Sequence, residues 1–219
     1  MGTVVLIGFS TAGKSSILRH FDSVMGNYID TLDSDSEMSK DYGGHIYLLF
    51  SKLVDGTDRS RALACIEDRE NAILRWLQPA TKSRLIAFGP AIPSRPEWDR
   101  FLKRVRPTVF YLELSECAVR EGLRRRRDKH IKDGLESLPA FGSWDEDVAT
   151  IFDEKSGRWI PIEDDKRVCR NIQKHMVGLT PLYSLAAGLD GTFSSRKLRE
   201  STEYQQQFYA RVLTALLAT

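Results

Sequence analysis

The first residues able to do chemistry are two glycines, a lysine and a serine at fixed spacing. Residues 8–15 read Gly-Phe-Ser-Thr-Ala-Gly-Lys-Ser, the pattern GxxxxGK[ST]. Glycines allow positive φ and close backbone approach, so successive amides can point at phosphate groups. In this pattern the lysine reaches the β- and γ-phosphates and the serine hydroxyl binds Mg²⁺. The sequence therefore predicts a phosphate cradle for ATP or GTP formed by Gly8, Ser10, Thr11, Ala12, Gly13, Lys14, Ser15 and Ser16, with Ser15 also a metal ligand and Lys14 also catalytic.

Two aspartates, Asp33 and Asp35, follow the next apolar run at residues 28–32. The carboxyl ends of parallel strands share one edge of a sheet, so we expect both beside the phosphate loop. One carboxylate can hold Mg²⁺ through water, and the other can orient a substrate hydroxyl or accept its proton. We predict Asp33 as a metal and catalytic residue and Asp35 as catalytic. The alternative is a solvated acidic loop in which Ser34 or Asp35 caps the following helix.

Four consecutive arginines, residues 124–127, precede an irregular stretch of the chain. Arginines on a mobile lid can close over the γ-phosphate, stabilise its charge and exclude water. We predict this role for at least one of the four, with Arg124 and Arg127 as candidates, whereas a solvated helix face is the alternative for any single one. No aromatic stacking platform accompanies the run, so it supports nucleic-acid binding only weakly.

Short apolar runs alternate with stretches of helical periodicity, which is typical of βαβ crossovers and a parallel sheet. We predict the three-layer α/β fold of P-loop NTPases, with a parallel sheet of four to five strands flanked by helices. The runs predict strands at 3–7, 28–32, 84–88 and 108–114, and helices at 15–24, 36–53, 60–77, near 98–102 and at 116–130. No convincing fifth strand emerges, since the only candidate, 184–193, is weak.

The alternation breaks at residues 128–165, which predict a lid inserted into a single domain spanning 1–219. Apolar runs at 149–152 and 158–162 flank a turn at 153–157 and predict a β-hairpin within this lid. Two further helices are expected near 166–176 and 200–217.

The composition indicates an ordinary globular protein. Formal net charge is +2, which gives no general reason to expect a nucleic-acid or membrane partner. The three cysteines are widely separated and fit reduced thiols, so a cytoplasmic location is expected, and the first residues resemble neither a signal peptide nor a membrane anchor. Oligomeric state does not follow from these features.

These motifs together resemble those of shikimate kinase and, more broadly, the nucleoside-monophosphate-kinase-like group. The resemblance implies a five-stranded parallel sheet, ATP with Mg²⁺, Asp33 near the metal and Asp35 near the acceptor. Two arginines that grip the substrate carboxylate in that family correspond here to Glu67 and Leu179, and its three-glycine turn becomes Gly89-Pro90-Ala91. Neither glutamate nor leucine can pair with a carboxylate. We therefore predict a protein that is not a working shikimate kinase.

Residues 10–17 and 32–34 also resemble chloramphenicol phosphotransferase, in which the counterpart of Asp33 would be the base. The leading hypothesis is an ATP- and Mg²⁺-dependent kinase for a hydroxyl of a small molecule. The alternatives are a nucleotide-binding switch with a degenerate acceptor site, or a kinase for nucleic-acid 5′-hydroxyls or a protein. The sequence contains no guanine-specificity motif at the expected place, which disfavours a regulatory GTPase.

Overall fold

The computed structural model describes residues 1–38, 40, 59–79, 81–132, 150–153, 155 and 158–218. Contacts group these residues into two compact units. The first comprises Met1–Ser34, Glu70–Leu114 and Leu179–Thr219, and the second comprises Asp35–Arg69 and Ser115–Gly178. The interpretation of residues 128–165 as the lid of a single domain stays a prediction.

A five-stranded sheet organises the first unit, and every neighbouring pair of its strands is parallel. Its strands are β1 (Thr3–Ile7), β2 (Asp30–Asp33), β3 (Arg84–Ala87), β4 (Thr108–Glu113) and β7 (Thr192–Ser194), in the order β2-β3-β1-β4-β7. The order places β1 at the centre, where all five of its residues are buried. The predicted three-layer α/β fold with a parallel sheet is confirmed.

The central strands read as continuous apolar runs because helices cover both faces of a parallel sheet. Val5 pairs with Ile86 on one side and with Val109 on the other, so β1 gains ladder bonds from two neighbours. The sheet core therefore fixes the carboxyl end of β1, from which the phosphate loop starts.

Eight helices belong to the described residues, together with a short 3₁₀ turn at Ile92–Ser94. Those wholly in the first unit are α1 (Lys14–Met25), α4 (Trp98–Val105), α7 (Ser195–Glu200) and α8 (Thr202–Leu217). The others are α2 (Ser34–Met38), α3 (Arg59–Trp76), α5 (Glu116–Lys132) and α6 (Asp165–Ala187). None of the helices in the described part of the chain is long and apolar enough to span a membrane.

The second unit contains the predicted hairpin, formed by β5 (Thr150–Asp153) and β6 (Arg158–Pro161). The two strands pair antiparallel in a sheet of their own, with Ile151 opposite Ile160. This confirms the hairpin within the inserted stretch.

Side chains on α5 and α6 meet at regular intervals in the second unit. Gln173 donates to Glu116 at 2.9 Å, Arg120 to the Cys169 sulfur at 3.8 Å, and Arg124 to Asp165 at 2.7 Å. Each step of four residues forward on α5 matches four residues backward on α6, which is the register of an antiparallel helix pair.

Two element boundaries differ from the sequence predictions. β2 begins at Asp30, because Tyr28 and Ile29 bond back to the Met25 carbonyl and Tyr28 is 74% exposed. α6 continues to Ala187 with Pro181 on its exposed side, so residues 184–187 are helical. Most of the predicted helix at 36–53 lies outside the described residues.

The sheet does have a fifth strand, β7, which begins at the end of residues 184–193, the weak candidate that the sequence offered. It pairs with β4 through three residues, of which Phe193 alone is buried. So short an edge strand leaves almost no periodic signal.

Candidate active site

The phosphate loop leaves β1 at a residue where only glycine fits. Gly8 has φ 140°, and a Cβ placed on it would lie 2.6 Å from the Leu112 carbonyl oxygen. Gly13, with φ 92°, lies directly before α1 and is open on the side a Cβ would occupy. The first glycine is thus required by close backbone approach and the second by its left-handed conformation.

Lys14 opens α1, and its side chain folds back over the loop. Its Nζ donates to the carbonyl oxygens of Gly8 at 2.7 Å and Phe9 at 2.9 Å. The residue is 8% exposed. These bonds keep a positive charge against the loop that is predicted to receive phosphate, as the motif requires.

Ser15 and Asp33 lie next to each other, although β3 separates β2, which ends at Asp33, from β1, which leads into the loop. The Ser15 hydroxyl donates to Asp33 Oδ2 at 2.6 Å, joining the first turn of α1 to the carboxyl end of β2. Two oxygen groups that can act as metal ligands, a hydroxyl and a carboxylate, therefore lie side by side. Mg²⁺ is typically bound by one or two such groups together with substrate phosphates. The pair fits the predicted metal site.

Two buried serines that the motifs did not single out as site residues hold the loop and its surroundings. Ser195, at the start of α7, donates to the Ala12 carbonyl at 2.7 Å and is 2% exposed. Ser34 is fully buried and accepts from the Gly89 amide at 2.8 Å, so it ties the end of β2 to the end of β3. Ser195 is remote from Ala12 in the chain and carries no local signal, whereas the sequence suggests Ser34 only as a helix cap.

Thr11, in the middle of the loop, has φ 73°. A β-branched residue with positive φ is strained by about 1–2 kcal/mol. Its Oγ1 is buried and has no hydrogen-bond partner among the described residues. The flanking Ala12 amide donates to the Phe9 carbonyl at 3.2 Å, which closes the turn.

The other loop residues lie where the motif predicts. Ser10 and Thr11 form the turn after Phe9, and Ser16 is in the first turn of α1. The Ser16 amide donates to the Gly13 carbonyl at 3.0 Å. The amides of Thr11, Gly13 and Ser15 donate to no other described residue and so can serve a ligand.

The remaining predicted catalytic residues belong to the second unit. Asp35 is the second residue of α2, and Arg124 and Arg127 lie on α5. One nitrogen of Arg124 contacts both carboxylate oxygens of Asp165, at 2.9 and 2.7 Å. The Arg127 side chain is outside the described part. The predicted roles of all three stay predictions.

At the positions that the resemblance assigns to acceptor recognition, this chain has residues of a different chemical type from those of shikimate kinase. Leu179 is 3% exposed and apolar. Nearby in the chain, the buried Tyr183 hydroxyl donates to the Pro90 carbonyl at 2.8 Å, and burial raises the pKa of Tyr183 well above its ordinary value. The turn at residues 89–91 is thus fixed by Tyr183 and Ser34.

A charged pair that the sequence did not suggest lies beside this turn. The Arg95 guanidinium donates to Glu70, whose side chain is 2% exposed, and the two form an ion pair. It links α3 to the chain after β3, and removal of either partner would leave a poorly solvated charge.

Comparison with solved structures finds shikimate kinases. The enzyme from Acinetobacter baumannii, solved in complex with shikimate, gives a TM-score of 0.60 at 20% sequence identity, covering 100% of this chain and 96% of that one. The enzyme from Bacteroides thetaiotaomicron gives 0.57 at 13% identity, covering 97% and 98%. No protein-family model matches the chain, and no curated protein matches its sequence. At such low identity the likeness shows the P-loop kinase fold, in agreement with the resemblance found in the motifs.

Proposed function

We propose that this chain is an ATP- and Mg²⁺-dependent kinase that transfers the γ-phosphoryl group to a hydroxyl of a small molecule other than shikimate. The observation that carries the proposal is the Ser15–Asp33 hydrogen bond of 2.6 Å, beside a loop shaped by Gly8 and Gly13. This pair supplies two oxygen ligands for the Mg²⁺ that phosphoryl transfer requires beside the bound phosphates.

The residues have separate roles in this proposal. Amides of the loop and the start of α1 bind phosphate oxygens, and the ammonium of Lys14 leaves the carbonyls of Gly8 and Phe9 to reach them. Phosphoryl transfer depends mainly on positioning and on charge stabilisation, so these groups perform most of the catalysis.

Ser15 and Asp33 would hold Mg²⁺, which neutralises charge on the phosphates when bound. With Asp33 occupied there, Asp35 is the residue that accepts or orients the acceptor's hydroxyl proton. Arg124 or Arg127 would stabilise charge on the transferred group, as predicted for a lid.

The proposal excludes shikimate because its carboxylate would lack the two arginines that the family uses. Glu67 repels an anion, and the buried Leu179 offers it no hydrogen bond. Each charge-assisted hydrogen bond contributes about 1.5–3 kcal/mol, so two losses weaken binding by several orders of magnitude.

An ATP-consumption screen against metabolites and nucleosides tests the function. We expect acceptor-dependent turnover with the wild type, and a loss of about a hundredfold or more in kcat/KM for Lys14→Ala. The matched control is Lys82→Ala, which removes an exposed lysine that pairs with Asp30 at 3.2 Å. Saturable phosphorylation of shikimate would contradict the exclusion.

A nucleotide-binding switch is the second candidate, favoured by the glutamate and leucine at positions 67 and 179. If the wild type binds ATP, Lys14→Ala does not, and neither consumes ATP with any acceptor, the switch replaces the kinase.

A further inference from the structure

Thr11 combines two features that are unfavourable in the protein alone. Its backbone adopts φ 73°, which a glycine would adopt without strain, and its hydroxyl oxygen is buried with no partner among the described residues. Strained residues and unpartnered buried polar groups both concentrate at functional sites. Their coincidence in one residue of the phosphate loop points to a ligand.

The surroundings of Thr11 define what that ligand must offer. The Ala12 carbonyl is occupied by Ser195, and the Gly8 and Phe9 carbonyls by Lys14. The amides of Thr11 and Gly13 donate to no other described residue. The loop thus presents amide donors together with the Lys14 ammonium, so the complementary ligand is an oxyanion.

We propose that the Thr11 hydroxyl is itself a phosphate ligand, donating to a non-bridging oxygen of the bound polyphosphate in addition to the backbone amides. This rests on the proposed function only in so far as the loop binds phosphate. Thr11 reduces the stability of the protein alone and increases its affinity for the nucleotide.

The hydroxyl oxygen is covered in the protein alone, so the loop must open slightly around an incoming phosphate. Lys14 has to leave the Gly8 and Phe9 carbonyls to contact a phosphate in any case. A single rearrangement therefore serves both the ammonium and the hydroxyl.

Three substitutions separate the hydroxyl from the backbone. Thr11→Val keeps the shape and removes the hydroxyl, Thr11→Ser keeps the hydroxyl, and Thr11→Gly removes both the hydroxyl and the strain. Thr214→Val, at an exposed position on α8, is the matched control for replacing threonine by valine. Calorimetric titration with ATP, ADP and inorganic pyrophosphate gives affinities, and thermal unfolding gives Tm.

We expect Thr11→Val to bind the phosphate probes about tenfold more weakly than the wild type, Thr11→Ser to bind within about threefold, and Thr214→Val to bind normally. Thr11→Gly should unfold at a higher temperature yet bind about tenfold more weakly, a combination that a purely structural residue would not give. A loss confined to ATP would assign the hydroxyl to the terminal phosphate, and equal losses would assign it to a phosphate common to the probes.

Wild-type affinity in both Thr11→Val and Thr11→Gly would overturn the inference, whatever the transfer activity. The proposed function is tested separately. If the wild type binds the probes but transfers no phosphoryl group, the proposed function is wrong and the assignment of Thr11 stands. If the wild type binds none of the probes, both fail.

Discussion

At the scale of single residues, the site depends on side chains that meet from different elements. Asp33 ends β2 and Ser15 begins α1, yet their oxygens lie 2.6 Å apart. If Asp33 holds Mg²⁺, as proposed, its carboxylate should matter for nucleotide binding only when the metal is present, whereas a general base would matter for turnover alone.

Asp33→Asn should therefore abolish most turnover, by about a hundredfold or more, while nucleotide affinity measured without Mg²⁺ stays within about threefold of the wild type. Steady-state kinetics and titrations with and without Mg²⁺ measure both quantities. Asp30→Asn, an exposed position on the same strand, is the control and should retain both. Normal turnover in Asp33→Asn would rule out its assigned role.

At the scale of elements, α3 is tied down at its carboxyl end by a residue from α4. The Arg104 side chain donates to the carbonyls of Leu74 and Leu77, the former at 2.5 Å and the latter at 3.1 Å. The last carbonyls of a helix lack partners within it and carry partial negative charge, so a guanidinium there is doubly favourable. This contact fixes α3, which carries the Glu70 partner of Arg95.

Removing this cap should cost about 1–2 kcal/mol of the free energy of unfolding. Arg104→Ala tests it by denaturant unfolding, and Lys103→Ala, exposed on the same helix, is the control and should change stability by less than about 0.5 kcal/mol. Equal stabilities of the two variants would show that the carbonyls are satisfied equally well by water.

At the scale of the whole molecule, the kinase proposal gives Arg124, which belongs to the second unit, a role in phosphoryl transfer. The Arg124–Asp165 pair is internal to the second unit, and both side chains are half exposed or more. Such a surface pair contributes no more than about 1 kcal/mol to stability. A large effect of Arg124→Ala on turnover, with no matching effect of Asp165→Ala, would therefore indicate that Arg124 contacts the nucleotide.

Comparison of Arg124→Ala with Asp165→Ala makes this distinction. Each should lower the free energy of unfolding by less than about 1 kcal/mol, and a lid role predicts that only Arg124→Ala reduces kcat, by about tenfold or more. Arg127→Ala, measured alongside, tests the other candidate. If both members of the pair reduce kcat equally, Arg124 acts by supporting the α5–α6 packing and the lid role is wrong.

Much of the fold was predictable because it depends on local and periodic signals. Buried parallel strands read as continuous apolar runs, so β1, β3 and β4 were found within one residue of their observed ends. The hairpin of β5 and β6 was found from two runs and a turn. The boundaries of β2, α6 and β7 were not predicted correctly, because pairing with distant strands and continuation of a helix outweigh the local sequence preference at these positions.

The sequence by itself determined the backbone of the loop at residues 8–15, since Gly8 and Gly13 permit its conformation and all of its residues lie along one segment. It also determined the carboxylate that follows the second strand, because parallel connections bring strand ends to one edge. Only the tertiary structure decided which groups hold that loop and the turn at residues 89–91: Ser195 on Ala12 holds the loop, and Ser34 on Gly89 and Tyr183 on Pro90 hold the turn. Each joins residues at least 55 positions apart, and buried polar contacts of this kind are set by packing geometry, to which no local pattern of residues corresponds.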